Sequence, residues 1–240
     1  MVGIFLVSVP LQAASSPIEF DYPELGVTPR ASDTVETEAA REAGRTWLAM
    51  TPFLISGIGT FAAGAAQFDS SSPTNLASSL IGIGVGGAWI LTSVLVGGFY
   101  RPYSSTVSEI SNMPKKSIRE SLARERAAEE GLRSASDFGQ RLRWFSFTTN
   151  MATSLFLAIR ALTNNNNGPF SLNPAYLGTS FGAMALSLAP VIFRPYWSDV
   201  QDIHQDYKKR IYAPVASVSL FTDAARPGDL IPGLSVGIRF

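Results

Sequence analysis

The sequence predicts an all-α membrane protein with four transmembrane helices from a duplicated two-helix unit, polar amphipathic helices on one face, and a small C-terminal β-hairpin. Three observations predict this fold class: long apolar segments without charge, a sequence repeat, and a change of periodicity near the C-terminus. Hydrophobic residues make up 46% of the 240 residues and charged residues only 16%, against about 25% in an average globular domain. The charges are also concentrated in a few segments, as is typical of a membrane protein.

Four segments have the length of a membrane-spanning helix, which needs about 20 largely apolar residues. They are Trp47–Phe68, Leu76–Tyr100, Trp144–Leu162 and Ala175–Phe193. None contains an aspartate, glutamate or lysine. Arg160 is the one charged residue, and it lies close enough to the end of its span to extend its side chain to the interface. Buried helices of a soluble protein are excluded, because the remaining polar residues are too few to cover four such helices.

A sequence repeat relates the two halves of the chain. Residues 99–110 read FYRPYSSTVSEI and residues 192–203 read IFRPYWSDVQDI, so an Arg-Pro-Tyr core is followed in both by serine, valine, an acidic residue and isoleucine. The repeat predicts a unit of two spans, a turn, an Arg-Pro-Tyr exit from the membrane and a polar helix. Because each unit has an even number of spans, both exits are expected on the same face of the membrane.

Two sets of residues in the repeat are predicted to have roles. Small residues four apart let helix backbones approach closely, which predicts helix packing at Gly82, Gly86, Gly178 and Gly182. A guanidinium binds phosphate and aromatic rings favour the interface, which predicts contacts with lipid headgroups at Arg101, Tyr103, Arg194 and Tyr196. The proline between each arginine and tyrosine ends the span. The alternative for each arginine is that it caps its own helix.

Both ends of the chain carry predicted signals. The apolar run Met1–Pro10 leads into small residues suited to cleavage after Ala13, as in a secretory signal peptide, although no basic residue precedes the run. From Pro214 onward apolar residues alternate with small or polar ones around the turn-forming segment Ala225–Asp229, which predicts a β-hairpin. This ending, with its terminal Phe240, resembles the C-terminal signal of bacterial outer-membrane barrels. The predicted organisation is a signal peptide (1–13), a polar N-terminal segment (14–44), a first hairpin repeat with extramembrane helices (45–143), a second hairpin repeat with a polar helix (144–212) and a β-hairpin (213–240).

The charged segment 114–143 predicts two helices outside the membrane. Pro114 is suited to begin the first helix, and Gly131 to end it. Ser134 or Ser136 then caps a second helix that leads toward Trp144.

The distribution of charge bears on which membrane the protein occupies. The short connections 69–75 and 163–174 carry only Asp69, whereas nearly all lysines and arginines lie on the opposite face with both termini. Basic loops normally mark the cytoplasmic side of an inner-membrane protein, which conflicts with a cleaved signal peptide. Spans diluted with small residues, together with the C-terminal pattern, favour export to the bacterial outer membrane. The inner membrane is the alternative.

The sequence lacks the residues that several kinds of catalysis and metal binding require. There is no cysteine, and His204 is the only histidine. Asp199, Asp202 and Asp206 lie beside it at helical spacing, but on a predicted surface helix. No phosphate-binding loop is present, and the 19 basic residues are balanced by 19 acidic ones, which gives no reason to expect nucleic acid. We therefore expect no enzyme activity, no cofactor, no metal site and no nucleic-acid partner.

Four spans with extramembrane regions of unequal size are similar to tetraspanin topology. The layout also resembles small α-helical outer-membrane proteins of predatory bacteria, the porters of outer membrane. This resemblance implies a structural, lipid-associated protein whose homo-oligomeric ring holds or encloses lipid, with membrane phospholipid and further copies of the chain as partners. The alternatives are a channel or transporter subunit, since duplicated hairpins also build transporters, and an inner-membrane scaffold. Against a transporter, Pro52 and Pro190 lie toward span ends rather than at the midplane.

Overall fold

A computed structural model describes residues 23–70, 73–163, 174–212, 215–222 and 230–237. The predicted signal peptide lies outside them. The described residues form helices α1 (Pro23–Gly26), α2 (Ala31–Ala66), α3 (Pro73–Phe99), α4 (Pro102–Ser111), α5 (Ile118–Thr163), α6 (Pro174–Ser187), α7 (Ala189–Ile192) and α8 (Tyr196–Tyr212), followed by strands β1 (Val215–Thr222) and β2 (Leu230–Gly237).

Two helices are longer than the sequence predicts. Helix α2 has 36 residues and joins the polar segment before Trp47 to the first predicted span, because alanine, glutamate and arginine favour continuous helix there. Helix α5 has 46 residues and runs through the domain boundary predicted at residue 144. The predicted helix end at Gly131 is wrong. A Cβ atom there would lie 2.5 Å from Cγ2 of Thr106, so this glycine admits α4 to the side of α5.

Three helical stretches are long and apolar enough to cross a membrane: Ala31–Ala66, Asn75–Ser111 and Pro174–Arg210. The predicted third span, Trp144–Leu162, forms the second half of α5 but is less apolar, since it contains Asn150, Arg160 and several hydroxyl residues. By length and composition, the described residues therefore support three spans, whereas the sequence predicts four.

The last predicted span is divided in the structure. Helix α6 ends at Ser187, and the four-residue helix α7 follows before the chain turns into α8. Pro190 lies in α7, where its missing N–H and its ring oppose continuation of the preceding helix.

Burial in the apolar part of the helical bundle differs from that in a water-soluble protein. Many large apolar side chains are exposed, among them Leu48, Ile58, Leu91, Phe99, Phe181 and Ile192. Many small hydroxyl side chains are wholly buried, among them Ser56, Thr60, Ser146, Ser154, Ser180 and Ser187. A hydroxyl in such a helix can donate to the carbonyl one turn earlier, as Thr60 does to Ser56 at 3.2 Å.

The larger apolar cluster lies where α2, α4, α5 and α8 meet, and it extends into the first two predicted spans through residues of α2 and α3. Its largest side chains include Val35, Phe53, Tyr103, Ile110, Leu132 and Trp197. A smaller cluster of Ala63, Leu157 and Ala183 joins α2, α5 and α6 within the bundle. The core is therefore bulky at the polar end of the molecule and at the start of the bundle, and it is made of smaller side chains deeper in the bundle.

The two strands pair antiparallel, from Val215 opposite Gly237 to Thr222 opposite Leu230. They occupy the C-terminal segment in which residues alternate between apolar and polar. The predicted turn at Ala225–Asp229 lies outside the described residues.

Candidate functional site

The two Arg-Pro-Tyr exits lie side by side at one end of the bundle. Tyr103 is the second residue of α4 and Tyr196 is the first of α8, and their ring centroids are 6.1 Å apart with the rings inclined at 74°. In both copies the motif stands between an apolar helix and a polar one, as the repeat predicts. Because both motifs lie at this end of the molecule, it is the candidate functional site.

Arg101 is held by the helix that precedes it. Its Nη1 group donates to the carbonyl oxygens of Gly97 at 3.2 Å and Tyr100 at 3.0 Å. The last carbonyl groups of a helix have no partner within the helix, and a cation there also offsets the negative end of the helix dipole. Arg101 therefore acts as the cap of α3, the alternative noted for it from the sequence.

Arg194 has different partners. Its Nη2 group donates to Asp202 at 2.9 Å, and Nη1 lies 4.0 Å from Asp199, both on α8. The side chain retains 46% of its exposure. The second exit thus presents an arginine that is paired and still accessible.

The two tyrosines also differ. Tyr103 is fully buried, so the headgroup contact predicted for it is wrong: its ring packs in the apolar cluster. Tyr196 is only partly buried, and the guanidinium carbon of Arg45 lies 5.9 Å from its ring centroid, within the range of a cation–π contact. Arg45 also donates to Glu38.

A buried carboxylate organises the first exit. Glu42 of α2 is fully buried, and its Oε1 accepts the backbone N–H of Tyr103 at 2.8 Å. Its Oε2 accepts the backbone N–H and the hydroxyl of Ser104, at 3.0 and 2.6 Å. These are free N–H groups at the positive end of α4, so the carboxylate stabilises the start of that helix. The sequence does not indicate this role, because Glu42 and Ser104 are distant in the chain.

A second glutamate caps the start of α2. Glu125 of α5 accepts the Ser32 backbone N–H at 3.1 Å and its hydroxyl at 2.6 Å. Next to this cap, Arg124 donates to Glu36 at 2.8 Å. Contacts from glutamates of neighbouring helices therefore hold the polar ends of α2 and α4 in place.

The predicted packing glycines fall into two classes. A Cβ atom on Gly82 would lie 2.7 Å from Cα of Gly64, and one on Gly86 would lie 2.6 Å from the carbonyl oxygen of Gly57. These two glycines hold α2 and α3 in direct backbone contact. A Cβ atom on either of the others, Gly178 and Gly182, would meet nothing within 4 Å.

The histidine contacts a neighbouring helix rather than the acidic residues of its own. His204 is buried, and its Nε2 lies 3.6 Å from Oε1 of Glu129 on α5. Lys208 donates to both oxygens of that carboxylate, at 2.9 and 2.8 Å. His204 and Lys208 hold the pKa of the Glu129 carboxyl below its usual range, against the opposing effect of partial burial. Among the described residues, no group of three or more acidic or histidine side chains is arranged to hold a metal ion.

No protein-family model, curated protein or solved structure matches this chain. The resemblance to porters of outer membrane and to tetraspanin topology therefore stays a prediction. The function is therefore inferred from the two exits and from the exposed surface of the bundle.

Proposed function

We propose that this chain is a structural membrane protein whose four transmembrane helices present an apolar surface to lipid and assemble into a homo-oligomer that holds phospholipid. The observation that carries the proposal is the number of large apolar side chains that the bundle exposes while it buries small hydroxyl residues. In water, exposed side chains as large as Leu91 and Phe181 in such numbers are unfavourable. In a bilayer they meet acyl chains, while helices associate through small and hydroxyl residues.

The second half of α5 supplies the fourth span in this proposal. Phe145, Leu155 and Ile159 are 64%, 46% and 49% exposed, whereas Asn150 and Ser154 are fully buried. These two polar residues thus face other helices, and the large side chains exposed to lipid are apolar. A hydropathy average does not separate the two faces, which is why this span falls short by composition.

Self-association is supported by the open glycines of α6. Gly178 and Gly182 are exposed, and exposed Phe181 lies between them. Small residues at this spacing let another helix approach closely, as Gly82 and Gly86 do within the subunit. A helix of a second copy, together with lipid, is the occupant that this proposal assigns to the open side.

A channel is the second candidate. Ser56, Asn150 and Ser154 each have a buried side-chain oxygen without a hydrogen-bond partner among the described residues. Such oxygens would suit water inside the bundle. Steady conductance of the purified protein in planar bilayers would favour this candidate over a purely structural role.

Topology is tested with single cysteines, since the chain has none of its own. Ser117→Cys and Thr163→Cys place exposed thiols at the two ends of α5. If α5 crosses the membrane, a membrane-impermeant maleimide labels only one of them in sealed vesicles and both after detergent is added. Equal labelling of both in sealed vesicles would show that α5 does not cross.

Assembly and location are tested on the full chain. Native mass spectrometry of the detergent-purified protein is expected to show several copies with bound phospholipid, and a lipid-free monomer would contradict the proposal. On a density gradient, the protein is expected with the outer membrane of a Gram-negative host, with its N-terminus at Ala14 or Ser15. An intact Met1 in inner-membrane fractions would reverse the location.

A further inference from the structure

A groove runs along α2 beside the second exit. It has a volume of about 520 Å³ and lies between α2 and the corner where α7 turns into α8. Its lining residues include Arg45 and Ile55 of α2, and Phe193, Arg194 and Tyr196 of the corner. This groove combines two arginines from different elements with a largely apolar wall.

The groove is polar at one end and apolar at the other. Arg45 lies over the ring of Tyr196, which places the residues of the second exit at the Arg45 end. Leu48, Pro52 and Ile55 line the groove further along α2. From Arg45 to Ile55 the helix rises about 15 Å, at ~1.5 Å per residue. That length is half of the ~30 Å hydrocarbon core, the thickness of one leaflet.

The two arginines keep donors available at the polar end. Arg45 pairs with Glu38 and Arg194 with Asp202, and these carboxylates orient the two guanidinium groups. A guanidinium has five N–H groups, more than these ion pairs use. Both side chains also remain accessible, at 40% and 46% exposure. Two accessible guanidinium groups suit a phosphate, which accepts several charge-assisted hydrogen bonds.

We propose that this groove binds one phospholipid, with its phosphate between Arg45 and Arg194 and an acyl chain along Leu48, Pro52 and Ile55. The proposal rests on the membrane location proposed above. Free phosphate would leave the apolar wall without a partner, and a neutral lipid would leave unused the N–H groups that the two ion pairs do not occupy. A membrane phospholipid matches both ends of the groove.

A larger cleft of about 880 Å³ lies beside Arg101, but its chemistry differs. Its lining includes Glu109 and Glu130 with several serines, and Arg101 itself donates to carbonyl groups of its own helix. Its carboxylates oppose a phosphate, and its serines make the cleft more polar than the groove, although Phe99 and Ala127 also line it. The second exit is therefore the lipid site, and the first is not.

The site is tested by titrating the full chain in detergent and following adducts by native mass spectrometry. Three probes are compared: dioleoylphosphatidylethanolamine, dioleoylglycerol and inorganic phosphate. The phospholipid is expected to bind once per subunit, at concentrations where the other two give no adduct. If dioleoylglycerol binds equally well, the arginines have no role. If inorganic phosphate does, the apolar wall has none. Either result overturns the proposal.

Substitutions in the groove then test whether the phospholipid binds there. Arg45→Gln and Arg194→Gln together are expected to weaken phospholipid binding about 25-fold, or about fivefold for each arginine. Ile55→Trp, which fills the apolar end, is expected to weaken it without altering either arginine. The matched control is Arg133→Gln, because Arg133 also pairs with an acidic residue of its own helix, at 3.9 Å, but does not line the groove. Unchanged affinity in both the double variant and Ile55→Trp would overturn the proposal.

Failure of this site is distinguishable from failure of the proposed function. If the labelling of residues 117 and 163 shows that α5 crosses the membrane but no phospholipid adduct forms, only the groove proposal is wrong. If alkaline carbonate extracts the protein from membranes, the membrane location itself is wrong. Circular dichroism of each variant establishes that lost binding does not arise from unfolding.

Discussion

The two helical units carry the same motifs but use them differently. In the first unit, Gly82 and Gly86 bring α3 into backbone contact with α2. In the second, Gly178 and Gly182 have no neighbour within 4 Å of the position a Cβ would take. The glycine motif thus occurs at the same place in both units, but only the copy in the first unit contacts another helix. The glycines of the first unit are covered by a neighbouring helix, and those of the second lie on an open side.

The exits show the same contrast. The first exit is internal: Arg101 caps its own helix, and Glu42 is buried against the start of α4. The second is peripheral, since Arg194 is half exposed and borders the groove with Arg45. The first exit is therefore part of the packing of the subunit, whereas the second lies at its surface.

The largest expected effect is a loss of stability from disrupted packing between α2 and α3 in the first unit. Gly86→Leu inserts a side chain where even a Cβ would lie 2.6 Å from the Gly57 carbonyl oxygen. We expect a loss of about 3 kcal/mol in the free energy of unfolding, the upper range for overpacking, measured by unfolding in mixed detergent.

Gly182→Leu is the matched change in the second unit. With open space at this position, we expect the stability of the subunit to change by less than about 0.5 kcal/mol. The oligomer seen by native mass spectrometry is expected to shift to smaller assemblies. Equal destabilisation by both substitutions would remove the distinction between the units.

The next largest effect concerns the buried cap of the first exit. Glu42→Gln replaces a carboxylate that accepts three hydrogen bonds with a group that has only one accepting atom. We expect a loss of about 2 kcal/mol, the scale of hydrogen bonds to a buried charge. Glu36→Gln is the control, because its ion pair with Arg124 is partly exposed and is expected to contribute at most about 1 kcal/mol. Similar losses in both would contradict a special role for Glu42.

A smaller effect separates the two arginines. Arg101→Ala is expected to lower stability by about 1 kcal/mol, the value of a cation at a helix C-terminus, and to leave bound lipid unchanged. Arg194→Ala is expected to lower bound phospholipid per subunit while the oligomer persists. Lipid analysis and thermal unfolding of both variants measure the two outcomes. The reverse pattern would assign lipid to the first exit.

The smallest expected effect is pH-dependent and lies where α5 meets α8. Because its neighbours lower the pKa of Glu129 in the folded protein, this carboxylate stabilises the fold above its unfolded pKa of about 4.3. That contribution is lost as the pH falls through the lower folded value. We expect wild type to exceed Glu129→Gln by at most about 1 kcal/mol near pH 6, since the carboxylate is partly exposed. The difference should shrink below pH ~4. A difference that persists there would exclude an electrostatic origin.

The local sequence pattern was sufficient to predict part of this structure. The apolar segments and the repeated Arg-Pro-Tyr motif predicted where helices leave the apolar bundle, and the structure begins polar helices at Pro102 and Tyr196. Helix ends were less predictable. Gly131 has the character of a helix end, but its contact with Thr106 compensates for the low helix propensity of glycine, so α5 continues through it.

By itself, the sequence determined the apolar stretches, the repeat and the presence of both exits, because these depend on composition and on order along the chain. Only the tertiary structure decided which copy of each motif is buried. Whether Gly86 or Gly182 meets a neighbour depends on how each helix is rotated about its axis and which helix lies beside it. Arg45 joins Arg194, and Glu42 reaches α4, only because packing brings distant segments together.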